Sequence, residues 1–300
     1  MLLIDFFKII ALMAIFYCCA SDDGVSESPT SSESPTSDTK ITISEVSNLE
    51  NTIKETSGLI NFDNQLITHN DSGDKPNLYE VNPANGVVLR TVFVENALNR
   101  DMEDIAQDDN FIYLCDIGNN TNSRKDQTIY KIKKVDYVSK DNVVAELITF
   151  HYKEQTDFSN SNLTTNFDAE AVISMGSNLF LFTKNWGDLK TSVYAIPKNA
   201  GNYEISSLAD ANVQGLITGA DYNKNTNRIV LTGYYSFKAF VVILSGFNKN
   251  PLDGKMEKID LDISGSKQVE GISYNPDGSY FLSAEASLGL PAVLYKMNLN

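Results

Sequence analysis

Acidic side chains recur in this chain at the beginnings of short apolar segments, where they could bind a cation or transfer a proton. A carboxylate supplies the oxygen ligands that Ca²⁺ prefers, and it can also act as a general acid or base. We therefore take six carboxylates as candidate metal ligands: Glu103, Asp104, Asp168, Glu170, Asp221 and Glu270.

A second set of polar residues follows the next apolar segment in most of these places. We predict that these residues form ligand-binding loops: His69, Asn70, Asp71, Asp116, Asn119, Lys184, Asn185 and Glu285. The alternative for Asp and Asn is structural, because their side chains also cap turns and accept backbone N–H groups. This alternative is weaker for Glu103, Glu170 and Glu270, since glutamate is a poor turn former.

Two functions fit this chemistry. In the first, the polar residues bind a ligand, and Ca²⁺ as a cofactor neutralises the carboxylates. In the second, the same residues carry out metal-dependent hydrolysis of a phosphoester or an ester, with His69, Glu103 and Glu170 as catalytic candidates. A third alternative is a purely structural surface protein. The sequence contains no EF-hand, GxSxG, phosphate-loop or Rossmann motif, so the prediction of chemistry depends on composition.

The carboxylates are positioned by a repeat that occurs five times. Its starts are 46 to 65 residues apart, close to the spacing of propeller blades, and they fall at Ser57, Glu103, Asp168, Asp221 and Glu270. Short apolar segments separated by turn residues predict four strands in each repeat. We therefore predict an all-β fold, a β-propeller of five four-stranded blades. A sixth blade could lie only between residues 150 and 167, which read as a polar loop.

The geometry of a propeller blade brings these residues together. The innermost strand of a four-stranded blade starts on the face of the disc where the second strand ends. Both sets of polar residues occupy those two places, so we expect them at one mouth of the central channel. Like charges that lie close together raise each other's pKa or require a cation.

The propeller domain is predicted to span residues 41–300. Residues 41–46 alternate and are rich in β-branched side chains, which indicates a strand. The last repeat is the shortest, so we predict that this first strand completes the last blade and removes its open edge. One helical turn is predicted near residues 207–212. Four tyrosines at corresponding third-strand positions are predicted to pack between blades: Tyr79, Tyr130, Tyr194 and Tyr295.

The first residues indicate export. Lys8 precedes a short apolar run, which is too short for an ordinary membrane span and is typical of a signal peptide. Residues 1–19 therefore form a predicted lipoprotein signal, with Cys19, or alternatively Cys18, as the lipid anchor. Residues 20–40 are rich in Ser, Thr and Pro and are predicted to be a disordered tether. We expect an outer-membrane lipoprotein that faces the periplasm or the cell surface.

The charge of the chain limits its partners. The formal net charge is −15, and phosphate binding needs a surplus of Lys and Arg, so nucleic acid is excluded as a partner. We expect a monomer that contacts the membrane only through its lipid anchor. Its ligand could be a small molecule, a glycan or a protein. Cys115 is left without a partner and is predicted to be a buried apolar residue.

Several segments resemble a group of secreted bacterial β-propeller proteins. They are Thr68-His69-Asn70-Asp71-Ser72-Gly73-Asp74, Arg100-Asp101-Met102-Glu103-Asp104-Ile105-Ala106, residues 113–119 and Phe167-Asp168-Ala169-Glu170-Ala171-Val172. The group is similar to propellers described as having an esterase-like activity of phytase and to SdiA-regulated propellers. The resemblance covers about residues 56–300 and implies a propeller fold and hydrolysis of phosphate esters. The family has Trp where Met102 stands and Asp where Asn119 stands; the second difference removes one carboxylate.

Overall fold

The computed structural model describes residues 39–159, 161–263, 265 and 268–299. Strand follows strand through these residues, and they form five separate small sheets, so the predicted five-bladed β-propeller is confirmed. The predicted signal peptide, both candidate lipidation cysteines and the predicted tether up to residue 38 lie outside the described residues.

The first half of the chain builds a closing strand and two blades. The closing strand is β1 (Ile41–Asn48), and a 3-10 turn follows it at Asn51–Ile53. Blade 1 contains β2 (Thr56–Phe62), β3 (Gln65–Asn70), β4 (Asn77–Val81) and β5 (Val88–Val94). Blade 2 begins with β6 (Met102–Gln107), β7 (Phe111–Asp116) and β8 (Gln127–Lys133). Helix α1 (Lys134–Ser139), strand β9 (Asn142–Val143) and strand β10 (Glu146–Tyr152) follow.

The second half builds three more blades. Blade 3 contains β11 (Ala169–Met175), β12 (Asn178–Thr183) and β13 (Thr191–Pro197), followed by β14 (Gly201–Ile205) and β15 (Ser207–Ala211). Blade 4 contains β16 (Leu216–Asn223), β17 (Arg228–Tyr235), β18 (Lys238–Ser245) and β19 (Lys255–Asp260). Blade 5 contains β20 (Val269–Tyr274), β21 (Tyr280–Ala284) and β22 (Val293–Leu299).

The ring closes through the two ends of the domain, as predicted. Strand β1 pairs antiparallel with β22, from Ile41 opposite Leu299 to Asn48 opposite Val293, and so supplies the fourth strand of blade 5. This pairing satisfies backbone groups that would otherwise form an open edge. The inner strands β2, β6, β11, β16 and β20 contact one another in sequence and around the ring.

The outer edges differ from a simple four-strand repeat. Strand β9 adds to β5 in parallel, and β14 adds in parallel to β10 of the preceding blade. Residues 207–211 form the fourth strand of blade 3, so the predicted helical turn near residues 207–212 is wrong. Ser207–Ala211 pairs with β13, and this long-range ladder satisfies backbone groups that a single helical turn would leave unpaired.

The hydrophobic core lies between neighbouring blades. Tyr79, Tyr130, Tyr194 and Tyr295 are buried in four different apolar clusters, as the sequence predicts. Cys115 is also fully buried within the cluster between blades 2 and 3. Full burial of a Val, Leu, Ile, Phe or Met side chain in these clusters stabilises the fold by about 1.5–3 kcal/mol. The blades are therefore held together mainly by side-chain packing, and the parallel pairings β5–β9 and β10–β14 add sheet hydrogen bonds between neighbouring blades.

The inner strands of blades 4 and 5 approach closely at Gly219. A Cβ atom at Gly219 would overlap the backbone oxygen of Glu270 in the next blade, so only glycine fits there. The channel has two ends, one at the first residues of the inner strands and one at their last residues. Within the described part of the chain, the structure has no helix with the length and apolarity needed to cross a bilayer.

Candidate functional site at the channel mouth

The first residues of the inner strands share one local irregularity. In blades 2 to 5 the pairing with the second strand skips one residue, and the skipped residues are Glu103, Glu170, Thr218 and Glu270. In blade 1 the shift lies between Ser57 and Ile60. A β-bulge of this kind redirects a side chain, and bulges are common beside functional sites. We call the end of the channel at these bulges the channel mouth.

The register corrects the predicted repeat starts in two blades. The residue that corresponds to Glu103 is Glu170 in blade 3, not Asp168, and Thr218 in blade 4, not Asp221. The Oγ1 atom of Thr218 donates a hydrogen bond to the backbone oxygen of Val269 at 2.5 Å. Blade 4 therefore contributes a hydroxyl that joins two blades where blades 2, 3 and 5 contribute a carboxylate.

Lys184 lies among the glutamates of the channel mouth. It follows β12, and its Nζ atom lies 2.9 Å from Oε2 of Glu170. The negative charges of Glu170, Glu270 and Glu103 all raise the pKa of Lys184, and Glu170 has the largest effect of the three. Lys184 is 7% exposed, so this ammonium group remains charged in the interior only because carboxylates surround it.

The corresponding second-strand positions complete the channel mouth. Lys184 occupies the place that Asp71, Tyr234 and Glu285 occupy in blades 1, 4 and 5, directly after the residue paired with the inner strand before its bulge. Tyr234 is buried beside Lys184, whose Nζ lies 5.5 Å from the centre of the tyrosine ring. Gln268 donates a hydrogen bond to Oε1 of Glu285 and lies 3.5 Å from Oε1 of Glu270. The predicted ligand residues Asp71, Lys184 and Glu285 therefore belong to the same mouth as the glutamates.

Three carboxylates form a compact group at one side of the channel mouth. One oxygen from each of Asp71, Asp101 and Glu103 lies within 4.8 Å of the other two. A side chain at Gly118 would collide with Oε1 of Glu103 and Oδ2 of Asp101, so glycine leaves the space into which these oxygens project. The three oxygens come from two blades and match the hard, all-oxygen donor set of Ca²⁺.

Burial makes the negative charges at the channel mouth costly. Desolvation raises the pKa of Glu103 well above its usual range, and the charges of Glu170, Asp71 and Asp101 raise it further. Desolvation likewise raises the pKa of Glu170, although Lys184 opposes this change. These carboxylates therefore either retain protons or need a cation in addition to Lys184.

Asp168 connects the channel mouth to the only tryptophan of the chain. Its Oδ1 accepts the N–H of Asn119 at 2.5 Å, and its Oδ2 accepts the indole N–H of Trp186 at 2.8 Å. Desolvation raises the pKa of Asp168, while Lys184 and these hydrogen bonds lower it. Asn119 also donates its amide to the backbone oxygen of Phe167 at 3.1 Å. Asn119 thus orients Asp168.

Asp116 is held by Arg124, which was not among the predicted site residues. The guanidinium of Arg124 lies 2.9 Å from Oδ2 of Asp116, and Oδ1 of Asp116 accepts the backbone N–H of Asp101 at 2.8 Å. This pair fixes the turn that carries Asp101 into the channel mouth. Arg124 is not marked by any repeat, so its role depends on the folded loop.

Two of the predicted ligand residues are engaged in loop hydrogen bonds. Asn70 donates to the backbone oxygen of Thr52 at 2.8 Å and to Oδ2 of Asp74 at 2.7 Å. Asn185 accepts from the hydroxyl of Thr183 at 2.6 Å and donates to Asp188 at 3.1 Å. These contacts are the structural alternative that the sequence left open for amide side chains.

Two predicted metal ligands lie deeper in the channel than the mouth. Asp104 accepts the backbone N–H groups of Ile105 at 2.8 Å and Val172 at 2.6 Å, and so links blades 2 and 3. Asp221 accepts the N–H of Tyr274 at 2.7 Å and links blades 4 and 5. Neither belongs to the compact group formed by Asp71, Asp101 and Glu103.

His69 is fully buried beneath the channel mouth. Its Nδ1 lies 3.1 Å from the backbone oxygen of Asn70, while Nε2 has no partner that meets hydrogen-bond geometry and lies near the backbone of Asp104. Burial lowers the pKa of His69 to about 4, so the imidazole is neutral at pH 7. The structure places His69 next to the acidic group but away from solvent.

Asp101 and Gln268 were missing from the predicted site, although the sequence contains a signal for both. Asp101-Met102-Glu103, Asp168-Ala169-Glu170 and Gln268-Val269-Glu270 share a polar residue two positions before the bulge glutamate. This three-residue pattern identifies the site better than the apolar strand starts.

Comparisons with known proteins support the fold class defined by these blades. No family model matches the chain, and no curated protein matches it. Among solved structures, the chain is similar to the PQQ-bound aldose sugar dehydrogenase from Streptomyces coelicolor, with a TM-score of 0.52, 9% identity, and coverage of 87% of this chain and 99% of that one. It is also similar to the apo form of the soluble aldose sugar dehydrogenase from Escherichia coli, with a TM-score of 0.50, 8% identity, and coverage of 86% and 99%.

These similarities show a shared β-propeller fold. At 8–9% identity they assign neither a substrate nor a cofactor to this chain. The protein is therefore a β-propeller whose individual function has to be argued from its own channel mouth.

Proposed function

We propose that this protein is a ligand-binding β-propeller whose channel mouth holds one divalent cation, Ca²⁺, between Asp71, Asp101 and Glu103. The observation that carries this proposal is the convergence of those three carboxylates, within 4.8 Å of one another, in the space that Gly118 leaves open. Carboxylates from different blades meet there with Lys184 as the nearby buried cation.

The coordination chemistry of Ca²⁺ suggests how a ligand would bind. Ca²⁺ takes six to eight oxygen ligands, and three carboxylates supply at most about six, and fewer when they bind through single oxygens. A ligand with hydroxyl or carboxylate oxygens can therefore complete the coordination. Asp71, Asp101 and Glu103 would hold the ion, and the ion would neutralise charges that burial makes costly.

The second candidate function is metal-dependent hydrolysis of a phosphoester or an ester. It is favoured by the contact between Asp168 and Glu170, two buried carboxyl groups with raised pKa values, beside Lys184. Such an environment favours the protonated form of a carboxyl group, which is the form that a general acid requires. The sequence resemblance to phytase-like propellers points to the same reaction class.

The proposed location is outside the cytoplasm. The predicted signal peptide, the lipidated Cys19 and the tether ending at residue 40 would attach the propeller to the outer membrane and hold it away from the lipid surface. A monomeric propeller on such a tether can present its channel mouth to a small molecule, a glycan or a protein.

One experiment separates binding from hydrolysis. Purified chain from residue 20 onward would be assayed with nitrophenyl phosphate and nitrophenyl acetate, with Ca²⁺ and with a chelator. The binding proposal predicts no turnover above that of the Glu103→Gln and Glu170→Gln variants. Ca²⁺-dependent turnover that both substitutions abolish, while the exposed control Glu204→Gln retains it, would establish the hydrolase instead.

A further inference from the structure

The end of the channel opposite the mouth opens into a cavity of about 620 Å³ that the proposed function does not use. It is lined by the last residues of the inner strands and by the hairpins that follow them. This volume is within the range of small-molecule sites. The cavity is therefore large enough for a mono- or disaccharide.

Lysines from three blades meet at this cavity, in a chain with a net charge of −15. Lys134 belongs to blade 2, Lys198 to blade 3 and Lys224 to blade 4. Lys198 lies 3.1 Å from Oδ2 of Asp108, and Lys224 lies 2.8 Å from Oδ1 of Asp109. Two of the three positive charges are thus already paired.

Lys134 is the cation that remains available to a ligand. Its Nζ donates to the amide oxygen of Gln107 at 2.7 Å and lies 4.6 Å from the ring centre of Phe62. Burial lowers its pKa, because the nearby carboxylates of Asp108 and Asp109 only partly offset the desolvation. The amide of Gln107 is uncharged and does not neutralise the ammonium group of Lys134. A bound anion would neutralise it.

The remaining lining residues favour a ligand with hydroxyl groups. The amide side chains of Asn61, Gln107, Asn223 and Asn225 border the cavity, and amides can both donate and accept hydrogen bonds. Three carboxylates, Asp108, Asp109 and Asp221, also border the cavity and oppose a ligand with two negative charges. A polyhydroxylated ligand with a single carboxylate can form an ion pair with Lys134, and the cavity carboxylates repel it less than they repel a ligand with two negative charges.

We propose that this cavity is a second binding site, and that it binds a monoanionic sugar acid through Lys134. The ion pair between Lys224 and Asp109 joins the hairpins of blades 4 and 2 across the entrance. Both side chains are largely exposed, and such a pair contributes little stability, so an entering carboxylate can replace Asp109 as the partner of Lys224.

The test measures binding of three probes to the purified chain by titration calorimetry: glucuronate, glucose and glucose 6-phosphate. We expect saturable binding of glucuronate. Glucose should bind at least about tenfold more weakly, because it lacks the charge-assisted hydrogen bond to Lys134. Glucose 6-phosphate should also bind at least about tenfold more weakly, because the carboxylates of the cavity repel its second negative charge. Lys134→Gln should weaken glucuronate binding at least about tenfold. The control variant Lys238→Gln removes the same charge from the hairpin at the mouth side of blade 4. It should leave glucuronate binding unchanged.

Three outcomes would overturn the proposal. They are the absence of saturable glucuronate binding, equal binding of glucose or of glucose 6-phosphate, and unchanged binding in the Lys134→Gln variant. If Lys134→Gln does not fold, the exposed Lys224→Gln decides the question, with an expected weakening of at least about threefold. The mouth carboxylates are absent from this cavity, so failure here leaves the proposed cation site untouched.

Discussion

The ammonium of Lys184 lies 2.9 Å from Oε2 of Glu170, and both side chains are buried at the channel mouth. A buried ion pair adds little net stability, yet removal of one partner leaves an uncompensated charge. Lys184 also interacts with Glu103 and Glu270, so a single ammonium group lowers the electrostatic cost of three glutamates.

Replacing Lys184 should destabilise the protein in a pH-dependent way. In Lys184→Met the buried Glu170 loses its partner, and we expect a loss of about 3 kcal/mol in the free energy of unfolding at pH 8. The loss should be smaller at pH 5 than at pH 8, because the raised pKa of Glu170 favours uptake of a proton as the pH falls. Urea denaturation at both pH values checks this prediction, with Lys238→Met as the exposed control. An equal loss at both pH values would contradict it.

Replacing His69 should change the pH dependence of stability. The pKa of His69 is about 4 in the fold and 6.5 in the unfolded chain, so the unfolded state binds more protons between these values. Relative to His69→Gln, the wild-type protein should therefore gain about 3 kcal/mol of stability as pH rises from 4 to 6.5. Urea titrations of both proteins across this range provide the measurement. A constant difference between them would show that His69 does not titrate as its burial requires.

Replacing Asp221 should change the pH dependence of stability in the opposite direction to replacing His69. Burial raises the pKa of Asp221 from 3.8 to about 6, so the folded state binds the proton more tightly than the unfolded state. This contribution is present below pH 3.8 and is lost as pH rises through 6. Stability of Asp221→Asn relative to wild type should increase by about 3 kcal/mol from pH 4 to pH 7. A relative stability that falls over this interval would contradict the assignment.

Adding one methyl group at Gly118 should disrupt the proposed cation site. The Cβ of Gly118→Ala would displace the carboxylates of Glu103 and Asp101, which are the nearest atoms that it would meet. We expect Ca²⁺ affinity to fall at least about tenfold, since ligand geometry determines affinity in such sites. Gly176→Ala serves as a control in open space, although its positive φ will cost some stability. Calorimetry with Ca²⁺ provides the measurement. Equal Ca²⁺ affinity in Gly118→Ala and Gly176→Ala would show that these carboxylates do not bind the ion.

The architecture could be predicted from the sequence because each blade appears as short apolar segments separated by turn residues. Strand β1 was predicted to close blade 5 from its β-branched residues and from the short last repeat, and it does. Residues 207–211 were misread, because a short strand paired at a blade edge has no pattern that separates it from one helical turn. Pairing with β13 is a tertiary effect that local propensity does not record.

The candidate site was only partly predictable. Glu103, Glu170 and Glu270 were identified from their positions before apolar segments, and the structure brings them together around Lys184. Asp168 lies two positions before Glu170, and Asp221 lies three positions after Thr218, so neither occupies the bulge position. A β-bulge leaves no mark in composition, so matching carboxylates near the apolar strand starts could not locate it. Burial then decides which carboxylates are chemically unusual, and burial depends on the neighbouring blades.

The most direct test of the cation site is a Ca²⁺ titration of the purified chain followed by tryptophan fluorescence and calorimetry. Trp186 is the only tryptophan, and its indole N–H contacts Asp168 at the channel mouth, so it reports on charge changes there. We predict one Ca²⁺ bound per chain with a dissociation constant below about 1 mM, a saturable fluorescence change, and loss of both signals in Glu103→Gln but not in Glu204→Gln. No heat of binding and no fluorescence change up to millimolar Ca²⁺ would contradict the account.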